Sequence, residues 1–378
     1  MKVGFNCRYL ERESWTGTEQ YLFNLLRGLD NLAGGPDMDL FGTNSKSLEK
    51  KLHPALSHAV VWPRRTPAYQ RNEPGRLWWD LNTAGQMANR VGVEVFHGTS
   101  FSLPQGLKMP AVVTFFDLAF LRHSDFYSWK ENIYLRWMIR RSASVAKAII
   151  TISEFSKSEI VSLLDIDPAR VHAIPLGVSE TVSVSKEEQE EILTRYGLKS
   201  PYLLTVSTVT ARKNLKMLLD ALKLLSDKHG SSPVLCIAGR DGFGAESIKK
   251  HCHELGLGKN VVFTGSMPKK DLDALQAGAA VALVPSKYEG FGLPVLEAMA
   301  AGIPVIAANA SALPEVAGTA GLLADPDNPA EWAGKMAEIL NDSGLRDKLK
   351  NEGYKRAGTF SWQTTATRTC EVYERISA

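Results

Sequence analysis

Cysteine is scarce in this chain of 378 residues, where Cys7, Cys236, Cys252 and Cys370 are scattered without the spacing of a disulfide framework or a metal knuckle. A reducing, cytoplasmic setting is therefore expected. Long apolar runs are missing too. No stretch approaches the roughly 20 residues that cross a bilayer, and Met1-Lys2-Val3-Gly4-Phe5 leads straight into strand-like sequence rather than into a signal peptide. Spanning a membrane and entering the secretory route are both excluded on this reading. Internal repeats and low-complexity segments are absent.

Several metal and cofactor signatures fail as well. Asp37-Met38-Asp39, Asp165-Ile166-Asp167, Asp271-Leu272-Asp273 and Asp325-Pro326-Asp327 all spell Asp-x-Asp, but they share no context and mark no metal site. In His251-Cys252-His253, neighbours on one predicted helix point in different directions, and no second ligand pair completes a zinc site. Gly239 to Gly244 does not fit Gly-x-Gly-x-x-Gly, which argues against an NAD enzyme. No nucleic-acid-binding motif is present and the basic excess is modest, so nucleic acid is not an expected partner.

What is there reads as an ordinary soluble protein, 44% apolar and 22% charged. The length exceeds one hydrophobic core, so two domains are expected. Short apolar strands alternate with helical stretches, which predicts an α/β class with parallel sheets covered by helices. Val112–Phe115, Ala148–Thr151 and Val171–Ile174 are assigned to a first domain. Leu203–Val206, Val234–Ile237, Val261–Phe263 and Val305–Ala307 are assigned to a second. The boundary falls between Gly177 and Pro201, where the polar stretch Ser183–Glu191 interrupts the alternation, giving domains at 1–180 and 181–360 with a final helix at 361–378.

Charge is uneven: the net value is +3, and residues 62–148 hold twelve basic against six acidic side chains and five of the eight tryptophans. Trp129, Tyr134, Arg136, Trp137, Arg140 and Arg141 recur at roughly helical spacing, as on helices that lie at a lipid surface. Peripheral contact with the inner membrane surface is one reading. The other packs the aromatics in the core and leaves the arginines solvated or on an anionic acceptor.

The most informative run is Tyr288-Glu289-Gly290-Phe291-Gly292-Leu293-Pro294-Val295-Leu296-Glu297. It follows the apolar strand Ala279–Pro285, Pro294 suits the first turn of a helix, and Gly302 with Pro304 ends that helix about two turns later. The amides of Gly290 to Leu293 would then point from a helix N-terminus, a natural seat for an anion. Two carboxylates flank that seat. Because a carboxylate repels phosphate, at least one should instead accept hydrogen bonds from hydroxyls. Glu297 could alternatively do no more than complement the helix dipole.

This run resembles the Glu-x7-Glu signature of retaining glycosyltransferases of family 4. Thr205-Val206-Ser207-Thr208 with Arg212-Lys213-Asn214-Leu215, Ile237-Ala238-Gly239, Val262-Phe263-Thr264-Gly265 and Leu313-Pro314-Glu315-Val316 match that family in order. So do Ile150-Thr151-Ile152-Ser153-Glu154-Phe155-Ser156 and Ile174-Pro175-Leu176-Gly177-Val178, so the likeness covers nearly the whole chain. It implies a GT-B fold, two facing Rossmann-like domains with a cleft between them, an acceptor-side first domain, a donor-binding second domain, and a last helix that crosses back to the first. It implies transfer of a sugar, with retention, from a nucleotide diphosphate sugar to a glycan or lipid-linked saccharide acceptor. Branches with this wording around Asp117 and Arg-Lys-Asn often use GDP-mannose, while UDP-glucose and dTDP-rhamnose stay open.

The resemblance carries roles to particular positions. Arg212 and Lys213 would balance the charge that builds on the leaving diphosphate, which makes a metal or other cofactor unnecessary. Glu289 would position the donor sugar and Glu297 would hold the ribose. The leaving phosphate could take the acceptor's proton. Gly17-Thr18 matches the glycine loop near the diphosphate, with the usual glycine pair reduced to Thr16-Gly17, and Ser207 stands where glycine is common. Phe116 occupies the place of a His that contacts the donor sugar, so His97, after the strand-like Val93–Phe96, is a candidate substitute at the cleft, beside Ser153 and Glu154. Asp117 is either an acceptor-side base or the cap of a turn. Two other classes stay open: a nucleotide-sugar epimerase of similar architecture, and a non-catalytic nucleotide-sugar binding protein.

Overall fold

The computed structural model describes residues 1–12, 17–52, 55–62, 78–123, 129–178, 184–229 and 233–377. The chain divides into two compact units, Met1–Gly177 with Ser361–Ala378, and Val178–Phe360.

The first unit is built on a seven-stranded sheet in the order β3-β2-β1-β4-β5-β6-β7. Its strands are β1 (Lys2–Asn6), β2 (Asp37–Phe41), β3 (Ala59–Trp62), β4 (Val95–Gly98), β5 (Ala111–Thr114), β6 (Ala148–Thr151) and β7 (Val171–Ala173). Every pairing is parallel. Helices therefore cover both faces, and β4, β5 and β6 are buried along their whole length, which is why they read as unbroken apolar runs. Phe41, Phe96, Val113, Phe115 and Ile149 form the centre of this core. The Trp362–Ser377 helix packs against the Gly17–Asp30 helix and completes the unit.

The second unit holds a six-stranded parallel sheet in the order β10-β9-β8-β11-β12-β13. Its strands are β8 (Tyr202–Val206), β9 (Leu235–Ala238), β10 (Val261–Gly265), β11 (Ala279–Val284), β12 (Val305–Ala308) and β13 (Leu322–Ala324). Tyr202, Leu204, Cys236 and Leu275 anchor one side of its core. The polar stretch read as an interruption is largely a helix, Lys186–Arg195, capped where the Glu188 amide donates to Ser185 Oγ at 3.2 Å. Its polar face is solvated while Ile192 and Leu193 are buried beside the Lys269–Gly278 helix. The α/β class and the parallel sheets thus stand as expected.

Candidate functional site

In an open parallel sheet, ligands bind at the carboxyl ends of the strands where strand order reverses. In the second unit the reversal lies between β8 and β11. The turn after β8 and the turn after β11 meet there. The Lys287 amide donates to the Arg212 carbonyl at 3.1 Å, which locks one turn to the other.

Arg212 and Lys213 lie on a single 3-10 turn, Ala211–Lys213, that ends at Asn214 with a left-handed φ of 56°. Asn214 holds that conformation by donating its side-chain amide to the Pro326 carbonyl at 2.6 Å. Both cations reach one carboxylate. Arg212 Nη1 donates to Glu289 Oε2 at 3.1 Å and to the Tyr288 carbonyl at 2.8 Å, and Lys213 Nζ pairs with Glu289 Oε1. Glu289 is 8% exposed, and its own amide donates to Ser311 Oγ at 2.9 Å. Burial alone would raise its carboxyl, but the charges of Lys213 and Arg212 and hydrogen bonds from Lys213 and Ser286 outweigh burial and hold it at about 2. A buried lysine, a half-buried arginine and an acid held ionised at neutral pH make a preorganised charge cluster at the strand-order reversal.

The helix after this turn is Leu293–Ala300, with Gly292 as its N-cap and Pro294 in the first turn. Gly292 has φ 118°, and a Cβ there would fall 2.9 Å from Leu313, so a side chain is barred by both backbone and space. Among the described residues the amides of Phe291, Gly292 and Leu293 have no hydrogen-bond acceptor. Phe291 is buried, edge-on to Phe360 at 5.8 Å. Glu297 sits one turn inside and is partly buried. Burial pushes its carboxyl up to about 7, with Lys269 opposing and Asp273 adding. Ser207 and Gly239 follow the adjacent strands β8 and β9: Gly239, at φ 150°, lies so close that a Cβ would come 2.1 Å from the Ser207 carbonyl, and Ser207 Oγ is buried with no hydrogen-bond partner among the described residues. Ser311, Ser286, Lys269 and Asp273 were missed in the sequence. They come from separate loops and helices and carry no local signal.

The candidates of the first unit are placed differently. His97 is fully buried, with Nδ1 2.6 Å from the Tyr373 hydroxyl and Nε2 2.8 Å from Thr114 Oγ1. Burial pushes its imidazole down to about 3, so it stays neutral. The expectation that His97 contacts a sugar is corrected: both ring nitrogens are engaged inside the core. Ser153 is likewise buried and caps the Glu154–Leu164 helix, accepting from the Ser156 amide at 3.0 Å, which corrects its reading as a sugar contact. Glu154 is exposed in that helix's first turn. Asp117 accepts from the Ala119 amide at 3.0 Å, the turn cap named as its alternative. Phe116 is edge-on to Tyr21 at 5.1 Å and to Phe101 at 5.9 Å. Gly17 and Thr18 open the Gly17–Asp30 helix, Gly17 exposed and Thr18 half-buried. Thr16 lies outside the described residues.

Comparison with known proteins bears on both units. The model of glycosyltransferase family 4 matches residues 15–181, and that of glycosyl transferases group 1 matches residues 186–356. The chain is 32% identical over 324 residues to the O-antigen chain mannosyltransferase B of Escherichia coli, covering 84% of this chain and 83% of that one. Among solved structures, sucrose-phosphate synthase from Thermosynechococcus elongatus superposes with a TM-score of 0.76 at 19% identity over 99% of this chain and 98% of that one. Anabaena HepE in complex with UDP-glucose gives 0.76 at 18% identity over 99% and 100%. These likenesses show the GT-B fold. With both halves matched by family models and a relative aligned along most of its length, the chain belongs to glycosyltransferase family 4.

Proposed function

We propose that the protein transfers a sugar, with retention and without a metal ion, from a nucleotide diphosphate sugar to a glycan or lipid-linked saccharide in cell-surface polysaccharide synthesis. The observation that carries this reading is the convergence of Arg212, Lys213 and Glu289 beside the open amides of the Leu293–Ala300 helix. Cleavage of the anomeric bond builds charge on the departing phosphate, and preorganised donors aimed at that charge are the largest single contribution a protein makes to such a reaction. Arg212 and Lys213 supply the charge that a divalent cation supplies in other transferases. Glu289, held ionised, sits where it steadies a sugar with developing positive character. Glu297 accepts from the ribose hydroxyls, and Ser207 and Gly239 allow close approach of the donor. The departing phosphate takes the acceptor's proton.

A mannosyl donor is favoured by likeness to the O-antigen mannosyltransferase, and a UDP sugar is the competing choice from HepE. No helix among the described residues is long and apolar enough to cross a membrane. Contact with the inner membrane face would instead use the Trp129–Val145 helix, whose Trp129, Ile133 and Trp137 are exposed at i, i+4 and i+8 with Lys130 and Arg140 on the same side.

The test is a thermal-shift series with GDP, UDP, dTDP and their common sugars, since a ligand at 100 times its Kd stabilises by about 2.7 kcal/mol. One base should stabilise the wild type and not Arg212→Ala, and transfer should survive dialysis against EDTA. Absence of any nucleotide shift in folded protein, or loss of transfer on chelation, would overturn the reading. Donor consumed without acceptor would point to an epimerase, and donor bound but never turned over to a binding protein.

A further inference from the structure

Among the described residues, four other than glycine hold a left-handed backbone, and two of them, Asn214 and Ser311, adjoin the charge cluster. Asparagine visits that region readily because its short amide bonds locally. Serine does not, so Ser311, at φ 51°, sits in a conformation that its surroundings must impose. It lies in the turn that follows β12, and its hydroxyl is engaged in both directions. Ser311 Oγ donates to the Ala310 carbonyl at 2.8 Å and accepts from the Glu289 amide at 2.9 Å. The next residue takes up the other polar group of the same backbone: the Ala312 amide donates to the Glu289 carbonyl at 3.4 Å. One turn thus grips the backbone of Glu289 through both its amide and its carbonyl.

That turn is itself fixed. It leads into the short Leu313–Ala317 helix, and Leu313 packs at Gly292, where a Cβ would come within 2.9 Å of it. At the far end of the helix Arg356 donates from Nη2 to the Glu315 carbonyl at 2.6 Å and from Nε to the Val316 carbonyl at 3.0 Å. The segment from Ser311 to Ala317 therefore meets the run from Glu289 to Gly292 at two points. On the other side, Lys213 and Arg212 hold the Glu289 carboxylate, and Arg212 also holds the Tyr288 carbonyl. The two cations set where the carboxylate points, and Ser311 sets where its backbone sits.

We propose that Ser311 is a positioning residue that acts through Glu289, its hydroxyl holding the glutamate backbone in the place from which the ionised carboxylate stays in register with Arg212 and Lys213. Its consequence for catalysis rests on the transferase reading above, in which Glu289 steadies the sugar. The competing role is stabilisation of the β12 turn alone. For that role glycine would serve better, being relaxed at positive φ, and the bond to the adjacent Ala310 carbonyl would suffice. The bond to an amide 22 residues away in sequence is what a serine supplies and a glycine does not.

The experiment is a pair of double-mutant cycles on the full chain, built from wild type, Ser311→Gly, Glu289→Gln and the double variant, with Ser311→Ala beside them. The first reads GDP released from GDP-mannose and UDP released from UDP-glucose. Ser311→Gly and Ser311→Ala should each turn over about tenfold more slowly at unchanged KM, the step that ~1.36 kcal/mol corresponds to. Ser311→Gly should add no further loss to Glu289→Gln. Because glycine is relaxed at this backbone angle and alanine is not, Ser311→Ala should unfold at a lower temperature than Ser311→Gly. A loss of turnover that follows stability, or losses that multiply in the double variant, overturns the positioning role. The second cycle reads urea unfolding at pH 7 and needs no donor. In the Ser311→Gly background, Glu289→Gln should lower the folding equilibrium constant about tenfold less than it does in wild type. An additive urea cycle overturns the proposal. A coupled urea cycle in a protein that releases no nucleotide from either donor supports placement of Glu289 by Ser311 and removes the transferase reading alone.

Discussion

Replacing Glu289 by Gln tests whether the charge cluster has the electrostatics assigned to it. The carboxyl is lowered from an ordinary 4.5 to about 2. A depressed acid contributes stability that is fully present above its unfolded pKa and is lost as pH falls through its folded pKa. The window is therefore about pH 4.5 down to about pH 2. At 1.36 kcal/mol per pKa unit the carboxylate is worth about 3 kcal/mol at pH 7 and about 1 kcal/mol at pH 3. Urea unfolding of wild type and Glu289→Gln at several pH values reads this directly. The wild type should be more stable by about 3 kcal/mol at pH 7, with the gap closing steadily towards pH 2. Gln still accepts a hydrogen bond but leaves Lys213 and Arg212 facing each other without a counter-charge, and a broken buried pair costs about 3–5 kcal/mol. A gap that is the same at pH 7 and pH 3 would refute the argument, because the stabilisation would then not depend on ionisation. Transfer should fall further than nucleotide affinity in the same variant, since Glu289 is assigned to the sugar and not to the base.

Glu297 should make donor binding depend on pH in the opposite region. Its carboxyl titrates near 7, and ribose hydroxyls donate better to the ionised form, so nucleotide affinity should rise between pH 6 and pH 8 and be flat in Glu297→Gln; a slope that persists in the variant would exonerate this residue. The stability effect has the opposite sign to that of Glu289: a raised acid favours the folded state below its unfolded pKa and loses that contribution as pH climbs through 7. His97→Ala should cost roughly 2–4 kcal/mol, because it opens a cavity and strands the buried Tyr373 hydroxyl. Nucleotide affinity, followed by thermal shift, should not change; a variant that keeps its stability and loses donor binding would restore His97 to the site.

Much of the second unit was legible because parallel strands buried on both faces are continuous apolar runs. Ala279–Val284 and Val305–Ala308 announce themselves in that way, and the Gly292-Leu293-Pro294 start of the helix after β11 follows from turn chemistry alone. Motif order brought Arg212, Lys213 and Glu289 onto one short list. Their meeting on a single carboxylate depends on β8 lying next to β11, a pairing of Tyr202 with Ala279 that no local window contains. The misreadings have the same origin. His97 looked like a strand-end ligand because its partner Tyr373 lies 276 residues further on. Ser153 was readable in principle, since a serine just before a helical stretch is a cap signal, but family wording drew attention to ligand contact instead. Burial of Glu297 beside Lys269 and Asp273 could not be seen, because those residues arrive from the helix between β10 and β11.

The bond between His97 and Tyr373 also sets an order of events during synthesis. On the ribosome, the strands of the first unit emerge first, yet the helix that completes it is made last. At roughly 5–20 residues per second, the 276 residues separating the two partners take about 14 to 55 s to appear. Throughout that interval the Gly17–Asp30 helix lacks the surface it packs on and His97 lacks a partner, while the second unit, uninterrupted in sequence, has all of its own elements to hand. The unit made first is therefore the one finished last. A nonsense mutation at Ser361 would spare every element of the six-stranded sheet and still leave the other unit exposed to proteases and chaperones, so truncated chains should be removed even though their charge cluster is intact.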